Sequence, residues 1–102
     1  MNLFLEFESA EGSIAQHPYE LFQNHPNPFA EVTFIGFNLP DRTTVILDIY
    51  DASGRVLKTI RGEFERGYNE VSVQRDDLPE SGLIYYKIET EYGAQTRKMV
   101  VN

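Results

Sequence analysis

Two histidines, His17 and His25, stand eight residues apart. Neither has the closely spaced Cys or His companions that a zinc site takes, so both read as surface residues. Asp76, Asp77 and Glu80 crowd one short segment. Their oxygens are too few for a Ca²⁺ shell of about six to eight ligands, and a polar turn desolvates nothing, which argues against general acid or base work there. They read as a charged, solvated loop. Ser9, Ser13, Ser53, Ser72 and Ser81 lack a GxSxG frame or a His at motif spacing, and GxGxxG and Walker loops are absent. With no cysteine there is no thiol nucleophile, thiolate ligand or disulfide. The sequence predicts no catalytic residue, no metal site and no cofactor.

Positive charge gathers at Arg55, Lys58, Arg61 and Arg66, and again at Arg97 and Lys98. On strands, such residues discourage edge-to-edge pairing with other molecules. The balance is nevertheless acidic, with 16 Asp and Glu against 9 Lys and Arg, a net charge of −7. Phosphate backbones would meet repulsion over most of this surface, which argues against a nucleic-acid partner.

At 102 residues the chain supports a single core-forming domain, and 41% hydrophobic and 13% aromatic residues place it among globular β-rich proteins. Its apolar runs are short, so no membrane insertion is predicted, and the first residues lack the basic flank and apolar stretch of a secretory signal. If the protein is exported, its export signal lies elsewhere or is of another kind.

The elements that position these side chains are strands. Leu3, Leu5 and Phe7 alternate with Phe4, Glu6 and Glu8 in a first short strand, and residues 9–18 are small and polar, reading as a linker. Residues 1–18 are therefore expected to be a short strand, equally well the tail of a preceding domain, and a linker, with the domain at 19–102. After a brief extended piece at residues 19–22, residues 31–39 turn Thr33, Ile35, Phe37 and Leu39 inward, and residues 43–50 turn Val45, Leu47 and Ile49 inward. A hairpin through Pro40-Asp41-Arg42 is expected between them. Asp51 through Arg55 has the acceptor and the glycine, Gly54, of a type I turn followed by a left-handed residue. A strand at 56–60, a looser charged crossing at 62–67, and strands at 68–74, 83–91 and 94–101 follow. Their inward residues are Val71 and Val73, then Ile84, Tyr86 and Ile88, then Met99 and Val101.

About seven short strands without a helical period predict an all-β fold, an immunoglobulin-like antiparallel β-sandwich, with a small barrel as the second choice. One stretch fits neither helix nor central strand. In Gln23-Asn24-His25-Pro26-Asn27-Pro28-Phe29 two prolines fix φ and remove donors, and Asn24 and Asn27 are suited to Asx-turns. The stretch reads as a stiff doorway ending in an apolar anchor, Phe29.

That stretch stands in order with three others: Tyr50-Asp51-Ala52-Ser53-Gly54-Arg55-Val56, Ser81-Gly82-Leu83-Ile84-Tyr85-Tyr86-Lys87-Ile88, and Thr96-Arg97-Lys98-Met99-Val100-Val101. The set resembles the type A C-terminal sorting domain of type IX secretion substrates of Gram-negative bacteria, over residues 19–102. His25 departs from the family pattern at a variable position.

The resemblance implies an immunoglobulin-like sandwich at the end of a larger secreted protein, with no enzyme activity. It implies an N-terminal cargo domain, recognition by an outer-membrane translocon and its shuttle protein, and a sortase that commonly cuts ahead of the domain and can attach cargo to lipopolysaccharide. Localisation would be secreted or cell-surface, by way of the periplasm and outer membrane. The expected recognition surface is Pro26, Asn27, Pro28 and Phe29 with Lys98, Met99, Val100 and Val101, joined by Gly54, Arg55 and Gly82. Two other functions fit a strand pattern: a structural or adhesive immunoglobulin-like module, and a carbohydrate-binding sandwich using exposed Tyr85 and Tyr92.

Overall fold

Alternation along the strands builds the core. In the computed structural model, which describes residues 17–79 and 81–102, Val32–Leu39 (β2) buries Thr33, Ile35, Phe37 and Leu39, and Thr43–Tyr50 (β3) buries Val45, Leu47 and Ile49. These are the residues that a period of two turns inward. Around them lie Glu20–Leu21 (β1), Val56–Phe64 (β4), Gly67–Gln74 (β5), Gly82–Thr90 (β6) and Gly93–Val101 (β7), with one 3₁₀ turn at Arg75–Asp77. The strand at Leu3 to Phe7, and the linker as far as Gln16, lie outside the described residues, as does Glu80.

Two antiparallel sheets face each other, one ordered β1-β2-β5 and the other β4-β3-β6-β7. With β1 as A and β7 as G, this is the A-B-E and C′-C-F-G arrangement of an immunoglobulin-like sandwich. Ile84, Tyr86, Ile88, Met99 and Val101 of the larger sheet meet Ile35, Phe37 and Val73 of the smaller in one buried cluster. Val71 packs half-buried against it.

The structure corrects two expectations about the strands. β2 and β3 do not form a hairpin: β2 pairs with β1 and β5, while β3 pairs with β4 and β6. Pro40, Asp41 and Arg42 therefore carry the chain from one sheet to the other, a step of the same length as a tight hairpin loop. The charged segment after Ile60 is no loose crossing either, since β4 runs on to Phe64, pairing Val45 with Gly62 and Thr43 with Phe64. Phe64 packs edge-on against Phe37 across the sandwich, centroids 5.2 Å apart, so its apolar ring holds the strand in register among charged neighbours.

Candidate functional site

Residues 19–29 form a strap laid along the open side of β7, stitched to it by side chains. The Tyr19 hydroxyl donates to the Gly93 carbonyl at 2.8 Å. Gln95 brackets the strap backbone, accepting from Leu21 N–H through Oε1 at 2.8 Å and donating from Nε2 to the Tyr19 carbonyl at 3.0 Å. Arg97 Nε donates to the Leu21 carbonyl at 2.7 Å, and Gln23 Nε2 to the Lys98 carbonyl at 2.6 Å. Asn27 Oδ1 accepts from Val100 N–H at 2.8 Å. Phe29 closes the run by joining the backbone ladder: its N–H donates to the Val100 carbonyl at 3.2 Å and its carbonyl accepts from Asn102 N–H at 2.9 Å, a parallel bridge to Val101.

Because β1 belongs to the small sheet and β7 to the large one, the strap seals one side of the sandwich. A strand edge that would otherwise template pairing with another chain is thereby occupied along its last residues. Arg97, expected to repel strand partners by its charge, acts here as a hydrogen-bond donor to the strap. Lys58 serves the other edge: on edge strand β4 it stands opposite the inward-facing Ile49 and reaches Asp77 at 3.6 Å.

Beneath the strap lies a buried polar knot. Asn24 and Thr33 are almost fully buried. Asn24 Nδ2 donates to Thr33 Oγ1 at 2.9 Å and to the Pro26 carbonyl at 3.2 Å, and the Thr33 hydroxyl donates to the same carbonyl at 2.8 Å. Gln23 Nε2 supplies Asn24 Oδ1 at 2.7 Å. Neither asparagine makes the expected Asx-turn. Two residues after Asn24 comes Pro26, which has no N–H to give, and after Asn27 comes Phe29, whose N–H is committed to Val100. The peptide bonds preceding Pro26 and Pro28 are both cis.

Tyr86 ties this knot to the centre of the large sheet. Its hydroxyl donates to the Phe22 carbonyl at 2.7 Å and accepts from Asn24 N–H at 2.9 Å. Burial pushes its pKa up to about 12, against a smaller opposite pull from the Asn24 hydrogen bond and the Arg97 charge.

The residues named from sequence divide by exposure. Pro26, Asn27, Pro28, Lys98 and Val100 face solvent, while Phe29, Met99 and Val101 are core. Gly54, Arg55 and Gly82 are exposed. Register places them at the same end of the large sheet as Val101, since Tyr50 pairs with Val56 and Tyr85, and Gly82 pairs with Val101. The Gly54 turn is built as its residues dictate: Asp51 Oδ1 accepts from the N–H groups of Ser53 and Arg55 at 3.0 Å each, and Gly54 takes φ of 90°. The Ser53 hydroxyl, followed by the Arg55 N–H, holds the Asp51 carboxyl below its ordinary range.

Sequence reasoning missed the strap. Its bonds join residues more than 70 positions apart through side chains, and no local pattern announces them. The tyrosines expected as a sugar platform do not stand together: Tyr85 is half-buried and stacked on Tyr50 at 5.7 Å, and Tyr92 packs against Tyr19 at 5.8 Å. His25 lies on the outer face of the small sheet, 3.2 Å from Glu70. Among the described residues no three His, Asp or Glu side chains gather to hold a metal ion, and no helix is long and apolar enough to cross a membrane.

Comparison with known proteins adds three findings. A family model described as "Secretion system C-terminal sorting domain" matches residues 23–102. The fold is similar to part of dimeric latent PorU from Porphyromonas gingivalis, with a TM-score of 0.67 and 19% identity over 86% of this chain and 10% of that one. It is also similar to the sensor domain of the anti-sigma factor RsgI4 of Pseudobacteroides cellulosolvens, with a TM-score of 0.51 and 14% identity over 88% of this chain and 100% of that one. The chain thus spans about a tenth of the PorU chain. No curated protein matches it.

Proposed function

Since the chain belongs to the family of secretion system C-terminal sorting domains, a type IX sorting signal, we propose that its work is to be recognised. It directs an attached N-terminal cargo across the outer membrane, read by the translocon and its shuttle protein. Residues 1–18 join cargo to domain, and a surface sortase cuts within residues 9–19 and can pass the cargo to lipopolysaccharide. The chain itself performs no catalysis. The protein so delivered is secreted or held at the cell surface.

One observation supports this reading above the others. The proline stretch and the last strand, far apart in sequence, form one sealed end of an independent sandwich, with Asn27 and Phe29 bonded to Val100 and Asn102. An address carried on varied cargo has to hold its own shape, and this seal supplies that. We assign recognition to the exposed members of the set: Pro26, Asn27, Pro28, Gly54, Arg55, Gly82, Lys98 and Val100. Phe29, Met99 and Val101 hold them in place from the core.

Fusion of the full chain to a periplasmic passenger in a bacterium with type IX secretion tests the reading. The passenger is expected outside the cell, protease-accessible, and, if the sortase acts, without the domain that follows the cut, keeping the residues ahead of it. A passenger that stays periplasmic while the domain is folded would identify a structural or adhesive module instead.

A further inference from the structure

Few large apolar side chains stand exposed among the described residues: Val56, Tyr68, Leu83, Tyr92 and Val100. Three of them meet at one place. Leu83 lies directly opposite Val100 across β6 and β7, Tyr85 opposite Lys98, and Tyr50 opposite both Tyr85 and Val56. Side chains opposite one another share a face, and residues two apart on a strand share it as well. Val56, Tyr50, Tyr85, Leu83 and Val100 therefore form one apolar patch on the outer face of the large sheet, at the end that carries the Gly54 turn. The Tyr50 and Tyr85 rings are stacked with an interplanar angle of 16°, which makes its middle flat and stiff.

Contiguous exposed apolar surface on a soluble domain marks an interaction site more often than single scattered residues do. Its rim indicates the partner. The Lys98 ammonium has no hydrogen bond or ion pair among the described residues, and it stands against Tyr85 beside a shallow groove lined by Gln23, Tyr85, Thr96 and Arg97. The chain around it is acidic, at −7, so an unneutralised cation next to a bare apolar face is a local exception. Strand addition on this side is closed to a partner, because the strap already holds the Lys98 and Val100 backbone.

We propose that this face is a docking surface for a protein partner that presents an apolar ridge with a carboxylate beside it, the ridge seated on Leu83, Tyr85 and Val100 and the carboxylate on Lys98. The proposal rests on the sorting reading and names the chemistry of the component that reads the domain. Burial of the patch supplies the affinity, and Lys98 sets orientation and rejects surfaces without an acid.

The test is photo-cross-linking in cells with type IX secretion, using cargo that ends in this chain. A benzoylphenylalanine is placed at Leu83, at Val100, or at Tyr68 on the other sheet. Leu83 and Val100 are expected to trap the same secretion component through an apolar segment with Asp or Glu close by, and Tyr68 is not. Lys98→Glu is expected to lower surface delivery at least tenfold, with recovery when the partner's acid is changed to Lys. Adducts only to lipid or to a second copy of the chain, or the same adduct from Tyr68, would overturn the proposal. Leu83→Ser with Val100→Ser removes the patch without touching the core, and a melting curve confirms the fold. If that variant is delivered normally while passenger lacking the domain is not, the sorting reading stands and the docking face falls. If cargo carrying the unaltered chain is not delivered, both fall.

Discussion

Tyr86 and Asn24 are 62 positions apart in sequence, yet the Asn24 N–H donates to the Tyr86 hydroxyl at 2.9 Å, and that hydroxyl donates in turn to the Phe22 carbonyl at 2.7 Å. One phenol oxygen thus satisfies two backbone groups of the strap from the middle of the opposite sheet. Tyr86→Phe keeps the ring and its packing but leaves both groups without a partner in a buried place. The expected cost is about 1–3 kcal/mol, the desolvation penalty of buried groups left unpaired. Urea unfolding should show a lower midpoint at unchanged slope, and an unchanged midpoint would remove the hydroxyl from any structural role.

The same hydroxyl predicts an alkaline limit to stability. The folded protein holds the Tyr86 proton up to about pH 12 against an ordinary 10.0. Between these values the unfolded chain has lost a proton that the native state still binds, so stability falls as pH rises. The contribution is complete below pH 10 and is lost progressively towards pH 12. Thermal melts of the wild type should steepen their decline in that window, and Tyr86→Phe, with nothing to titrate there, should decline less.

Asn24 and Thr33 are predicted to act as a unit. Both place hydrogen bonds on the Pro26 carbonyl and one bonds the other, so removing either leaves the rest half-satisfied. Asn24→Ala and Thr33→Val are each expected to cost about 1–3 kcal/mol. The double variant should cost less than the sum, with a coupling of about 0.5–3 kcal/mol in a double-mutant cycle. Strict additivity would mean that the knot is two independent contacts.

What could be read from sequence, and what could not, follows the range of the physics. The inward residues of β2, β3 and β6 were legible because a period of two is written locally, and the Gly54 turn because its acceptor and glycine are neighbours. The partner of each strand was not. Pro40-Asp41-Arg42 serves a hairpin or an inter-sheet step equally well, and only packing of the whole chain chooses between them. Gly62 to Phe64 looked like loop because charge masks the alternation that Phe64 completes. Met99 and Val101 were legible as inward residues and Phe29 as an apolar anchor, but the contact between them was not: nothing local tells that Phe29 and Val101 bridge each other inside the fold.

That bridge carries the last prediction. Phe29 is 2% exposed and Val101 is equally buried, and the parallel bridge between them is the point where the strap enters the ladder of the large sheet. Phe29→Ala empties a core site and is expected to cost about 3–5 kcal/mol, a large share of the about 5–15 kcal/mol that holds a domain together. Phe29→Leu roughly conserves volume and should cost less than about 1.5 kcal/mol, leaving the backbone bonds in place. Hydrogen exchange separates packing from bridging: the Asn102 amide, which donates to the Phe29 carbonyl at 2.9 Å, should lose protection sharply in Phe29→Ala and keep most of it in Phe29→Leu. Removing residues 98–102 deletes Met99 and Val101 from the core together with their half of the bridge, and is expected to unfold the domain outright. Failed delivery of such a truncation would therefore report lost structure, and only surface changes such as Lys98→Glu report lost recognition. Equal Asn102 protection in the alanine and leucine variants would show that the strap is held by its side-chain stitches alone.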